Sequence, residues 1–155
     1  MPTEFNVADT EPSSSEYSTA WVAYALQATG ALGFLFGPLV GTIISYVRRD
    51  AADAGYVASH HRWLIATFWW TLAGYFVCIA VILAGAWPIL SDVLREAIHS
   101  RDHLREFSRS IDWDSIFATV GAAMLGALGM VLVWIWNLYR IVRGGLRLAD
   151  GRPAP

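Results

Sequence analysis

Two histidine pairs are the residues of this chain best suited to chemistry, and their spacings limit what each can do. His60 and His61 are adjacent. On a helix neighbouring side chains diverge by about 100°, so they do not converge on one metal ion. His99 and His103 stand four apart, with Asp102 and Glu106 nearby, a spacing that puts two imidazoles on one helix face for a zinc-like ion. Neither pair has a compelling third ligand, so no metal and no other cofactor is expected. The stretch ASHHRWLIATFWW (58–70) surrounds His60 with Ser59, Arg62 and Trp63. That cluster suits either of two roles. In one, His60 hydrogen-bonds to Ser59, Asp50 or Asp53 while Arg62 reaches lipid phosphate. In the other, His60 is a proton- or substrate-sensing group at a pore mouth. No Ser-His-Asp order, phosphate loop or nucleotide fingerprint is visible, and the expectation is a protein that is not an enzyme. Cys78, the single cysteine, sits in an apolar run and reads as a small buried residue.

Those residues are positioned by apolar segments. Of 155 residues 55% are hydrophobic and 15% charged, against about 25% charged in soluble domains, and the mean hydropathy is +0.42. Three runs free of Asp, Glu, Lys and Arg have the length of a membrane-crossing helix: Ala20–Val47, Leu64–Leu90 and Ile116–Leu138. Lipid leaves exposed backbone groups unsatisfied, and three runs do not close a barrel, so each is expected to be helical. The first run is long and implies tilt or a kink at Pro38. The fold class predicted is therefore all-α, an integral membrane bundle of three transmembrane helices. Residues 1–12 are expected to be a disordered tail, 13–148 the membrane domain and 149–155 a flexible C-terminal tail. Ser13 followed by Glu16 has the pattern of a capping box that starts the first helix early. The N-terminus lacks a basic region and does not read as a signal peptide.

All 11 basic residues are arginine. With three spans, Arg48, Arg49, Arg62, Arg140, Arg143, Arg147 and Arg152 share one side, against Arg95, Arg101, Arg105 and Arg109 mixed with six acids on the other. The positive-inside rule then predicts a C-terminus in the cytoplasm and an N-terminus outside, periplasmic in a bacterial inner membrane. Trp63, Trp69, Trp70, Trp134 and Trp136 fall near the inner interface, and Trp21, Trp87 and Trp113 near the outer one. A net charge of -2 gives no basis for nucleic-acid binding.

Outside the spans, Leu90, Val93, Leu94, Ala97, Ile98, Leu104, Phe107 and Ile111 recur at helical spacing opposite arginines and acids. An amphipathic helix over about 91–109 in the second loop is predicted, lying on the membrane surface. Arg140, Arg143 and Arg147 share a face that meets anionic headgroups, and Gly144–Gly145 is expected to break or bend the third helix. Two stripes of small residues, Gly33, Gly37 and Gly41 in the first run and Ala118, Ala122 and Gly126 in the third, allow close helix approach. They serve packing within the chain or self-association.

The segments YALQATGALGFLFGPLVGTIISYVRRD, ASHHRWLIATFWW and WNLYRIVRGGLRLADGRP resemble a group of small bacterial inner-membrane proteins that carry a domain of unknown function. That group is distantly similar to the membrane domain of the chloroplast inner-envelope protein-import translocon component. The resemblance rests on Ser59, His60, Arg62, Trp63, Thr67, Phe68 and Trp69, and on Tyr139, Arg140, Arg143 and Gly144. His61 stands where the pattern usually has an aromatic residue, which singles out His60. The plastid domain is thought of as four helices, where three spans are counted here. The resemblance implies a location and a topology rather than an activity. The functional expectation is a non-enzymatic inner-membrane scaffold or accessory subunit. It would act through helix–helix assembly with itself or another membrane protein in the lipid bilayer. The alternative is a channel- or transporter-like homo-oligomer with His60 and Arg62 near its cytoplasmic mouth.

Overall fold

A computed structural model describes residues 13–34, 36–48, 56–99 and 113–155. Among the described residues there are four α-helices and no strand: α1 (Ser14–Thr29), α2 (Phe36–Arg48), α3 (Tyr56–His99) and α4 (Trp113–Ala149). Ser13 caps α1 as its spacing to Glu16 suggests, its hydroxyl accepting the Glu16 N–H at 3.3 Å.

The run expected to be one span, Ala20–Val47, is instead two helices that fold back on each other. α1 gives way to a single 3-10 turn at Gly30–Leu32, and Gly33 then takes φ +90°, a left-handed backbone that side chains resist. Pro38 does not kink a helix, because it sits in the first turn of α2, where its missing N–H would have had no partner anyway. The stripe of small residues explains the fold-back. A Cβ on Gly37 would collide with the Thr29 hydroxyl, and one on Gly41 would lie 3.0 Å from the Ala23 carbonyl oxygen. Gly37 and Gly41 therefore line an intrachain contact, while Gly33 makes the turn.

The hairpin apex is closed by bonds to several of its backbone groups. Phe34 N–H reaches Thr29 O at 3.1 Å and Gly33 N–H reaches Gly30 O at 3.1 Å. The Thr29 hydroxyl donates to Leu26 O at 2.6 Å, and the Trp134 indole N–H donates to Ala31 O at 3.0 Å. Leu32, Phe34 and Phe36 are 77%, 66% and 82% exposed, so the tip presents apolar side chains.

α3 and α4 are each long and apolar enough to cross a membrane and contain the predicted runs 64–90 and 116–138. α3 continues through Pro88 to His99. Residues 91–99 of the predicted loop helix are thus an extension of α3, and 100–109 lie outside the described residues, as do His103, the 1–12 tail, Asp50 and Asp53. α4 runs unbroken through Gly144–Gly145 to Ala149.

The chain divides into two compact units, one of residues Leu72–Val133 and one combining the described residues up to Thr71 with Trp134–Pro155. In the first, Gly85 faces Ala122, with the Ala118 carbonyl 3.3 Å from where a Cβ would be. Gly126 faces Ile82 and the Cys78 carbonyl. The Thr119 hydroxyl donates to Gly85 O at 2.9 Å. The Ala118, Ala122 and Gly126 stripe therefore packs α4 on α3 within one chain. The second unit has a buried core of Ala20, Ala23, Tyr24, Val57, Leu64, Ile141 and Leu148.

Gly37→Ala should cost about 1–3 kcal/mol by forcing the hairpin apart. Gly121→Ala, whose Cβ meets nothing within 4 Å, should leave stability within about 0.5 kcal/mol of wild type. Unfolding in mixed micelles followed by circular dichroism separates the two.

Candidate functional site

The polar residues of the second unit gather where α3 begins and α4 ends. Adjacent positions on α3 send His60 and His61 in different directions, and the structure uses the divergence. Both are almost fully buried. His61 Nδ1 lies 3.3 Å from the Ser45 hydroxyl of α2. His60 Nδ1 lies 2.9 Å from the Tyr24 hydroxyl of α1, and its Nε2 lies 2.9 Å from the Arg152 carbonyl oxygen.

A carbonyl only accepts, so His60 Nε2 carries the proton and donates it. In the neutral ring Nδ1 then accepts from the Tyr24 O–H. Both ring nitrogens are spent on internal bonds, and the imidazole ties α1 to the C-terminal segment. That segment was expected to be a flexible tail, but local bonds hold it. Gly151, at φ +66°, closes α4 with Gly151 N–H to Leu148 O at 3.1 Å and Arg152 N–H to Arg147 O at 2.9 Å. This paired-bond cap reverses the chain at a left-handed residue. The reversal brings Ala154 N–H to the Ser59 hydroxyl at 2.8 Å and Pro153 O to the Arg147 guanidinium at 3.3 Å.

A second cluster joins α3 to α4. Arg140 Nε donates to the Thr67 hydroxyl at 3.0 Å, and its guanidinium carbon lies 3.7 Å from the Trp63 ring centroid. The Trp63 indole N–H donates in return to the Arg140 carbonyl at 3.3 Å. Gly144 explains why α4 comes so close, since a Cβ there would strike the Tyr24 hydroxyl and lie 3.0 Å from Trp63 Nε1. The glycine expected to break α4 is needed for close approach instead. The Gln27 side chain donates to Leu64 O at 3.1 Å, while its Oε1 is buried without a partner among the described residues.

Of the residues singled out from sequence, Ser59, His60, Trp63 and Arg140 belong to this polar end. Arg62 is exposed, so it does not share a site with buried His60. Arg143 is exposed and donates to the Tyr139 hydroxyl at 2.7 Å. Sequence reasoning missed Tyr24, Gln27, Ser45 and the Arg152 carbonyl, and also Thr71, whose hydroxyl donates to Asn137 Oδ1 at 3.1 Å. Gln27 and Ser45 were detectable as polar residues inside an apolar run. Trp21, expected at the outer interface, packs against Tyr24 at 6.5 Å between ring centroids, at the end where α4 finishes.

Between α1 and α4 lies a groove of about 330 Å³ walled by Trp21, Ala25, Ala28, Val142 and Gly145. The Tyr24 hydroxyl at its edge is already engaged by His60. Among the described residues no group of three or more His, Cys, Asp or Glu is placed to hold a metal ion. No family model, curated protein or solved structure matches the chain.

His60 and His61 precede the apolar stretch 64–90. Burial is the main cause holding both below the ordinary imidazole value of 6.5. At His60 the Arg152 carbonyl bond opposes that shift and Arg147 adds to it. At His61 the neighbouring His60 and then Arg48 add to it, and Glu16 opposes it. Below that value the unfolded chain binds protons that the folded chain refuses, so stability should rise with pH through the imidazole range and fall on acidification from about pH 6.5. Tyr24→Phe should cost about 1–2 kcal/mol by leaving Nδ1 unpaired. Unfolding midpoints of wild type and variant between pH 5 and 8 check both.

Proposed function

We propose that this chain is a non-enzymatic membrane component whose work is assembly, a scaffold or accessory subunit in a bacterial inner membrane. In this reading α3 and α4 cross the bilayer. The α1–α2 hairpin dips into one leaflet and leaves by the side on which it entered. The observation that carries the reading is the complete internal use of His60. The one imidazole that the sequence singled out as a proton- or substrate-sensing group is buried and satisfied at both nitrogens. What remains open to the surroundings is apolar lateral surface, since only 6% of each crossing window is buried within the chain. The pore alternative placed His60 and Arg62 together at a mouth, and their separate environments give it no comparable support.

The hairpin changes the topology expected from three spans. Gln27 of α1 bonds Leu64 of α3 as Tyr24 bonds His60, so α1 runs in the same direction as α3. Trp134 bonds Ala31 while Tyr24 lies under Gly144, so α1 runs opposite to α4. The start of α1 and the end of α4 then face the same aqueous phase. The N-terminal tail holds no basic residue, so the count of seven arginines against four is unchanged and favours a cytoplasmic location for both ends.

Purified and reconstituted alone in sealed vesicles, the protein should pass no more ion flux than empty vesicles. Native mass spectrometry from membrane-derived nanodiscs should show a defined oligomer or a stoichiometric complex. Flux that disappears in His60→Ala, or a bare monomer under all conditions, would refute the assembly reading.

A further inference from the structure

We propose that the Arg140 guanidinium, stacked on Trp63 and tethered by Thr67, is a receptor for the phosphodiester of a membrane lipid. The inference shares with the assembly reading only the membrane location. Arg140 stands two residues beyond the apolar run that ends at Leu138, the level at which a crossing helix meets headgroups.

Its surroundings fix the guanidinium rather than merely tolerate it. The Thr67 hydroxyl donates its own proton to Trp63 O at 2.7 Å, which leaves a lone pair for the Arg140 Nε–H at 3.0 Å. One face of the guanidinium lies on Trp63 at 3.7 Å, and Trp136 stands 5.6 Å from its carbon. These ties use the Nε edge and a π-face. They leave both terminal nitrogens without a hydrogen bond among the described residues, and Arg140 has no ion pair there.

An arginine held in this way presents a preformed fork of N–H donors whose geometry matches two oxygens of one phosphate. Little side-chain entropy is lost when the anion arrives. Arg143, three residues on and exposed, adds a second positive charge. The half-exposed rings of Trp136 and Tyr139 give an acyl chain something to cover, which distinguishes a lipid from free phosphate as the ligand.

The test uses the full chain, stripped of lipid in detergent and titrated with phosphatidylglycerol, with bound lipid counted by native mass spectrometry. Wild type should retain one tightly bound lipid. Arg140→Gln should weaken binding by about tenfold or more, the scale of hydrogen bonds to a charged group. Arg140→Lys should lose nearly as much, because an ammonium keeps the charge without the fork. Thr67→Val, which releases Nε but leaves every charge in place, should weaken binding less. Inorganic phosphate at millimolar concentration should not displace the lipid. Wild-type affinity in Arg140→Lys would reduce the site to unspecific charge attraction and overturn the proposal. So would wild-type affinity in Arg140→Gln or Thr67→Val, or displacement by inorganic phosphate at concentrations equal to the lipid.

Discussion

A chain that turns round inside hydrocarbon must hydrogen-bond its own backbone, because no water is there to do it. In the membrane topology proposed above, the rest of this structure depends on how the α1–α2 hairpin meets that constraint. Its turn is a single 3-10 loop closed by Gly33 and Phe34 N–H groups, the first turn of α2 holds Pro38, which has no donor to satisfy, and the Ala31 carbonyl is taken by an indole from α4. Glycines at 37 and 41 then let the two helices approach until side-chain hydroxyls and backbone oxygens fill the space a methyl group would need. The hairpin is short, 16 and 13 residues, or about 24 and 20 Å of helix, against a hydrocarbon thickness of about 30 Å. It suits a segment that enters one leaflet more than one that crosses both.

The open end of the hairpin is secured by polar groups. His60 connects Tyr24 of α1 to the Arg152 carbonyl beyond α4, and His61 reaches Ser45 near the end of α2. One dipeptide of α3 thus anchors both arms of the hairpin and the C-terminal segment. The tautomer is dictated by the carbonyl partner, so the network has one self-consistent arrangement with a neutral ring. Buried polar networks are costly when half satisfied; this one is satisfied at both ring nitrogens of His60, whereas the neighbouring Gln27 Oε1 is buried without a partner among the described residues.

Much of the architecture was legible in the residues. The runs 64–90 and 116–138 fall inside α3 and α4 because uninterrupted apolar composition over such lengths has few other solutions. The Ser13 cap and the tight packing of the small-residue stripes follow from local chemistry. The direction of the first run was not legible, because hydropathy counts apolar residues without recording where the chain reverses. Gly30, Gly33 and Pro38 marked the reversal, and Gln27 and Ser45 marked faces that lipid would reject. A single long span absorbed all five. The partners of His60 were out of reach for a different reason. Tyr24 is 36 residues away and Arg152 is 92, and the second partner is a backbone carbonyl that no residue type betrays.

The topology of the hairpin is the claim on which the rest turns. With Cys78 replaced by alanine, single cysteines would be placed at Ser15, Ala149 and Asp114, all exposed positions, and challenged in sealed vesicles with a membrane-impermeant maleimide. The account predicts that Ser15 and Ala149 label from the same side and Asp114 from the opposite one. Labelling of Ser15 together with Asp114, and apart from Ala149, would restore a single crossing helix over residues 20–47 and contradict the hairpin.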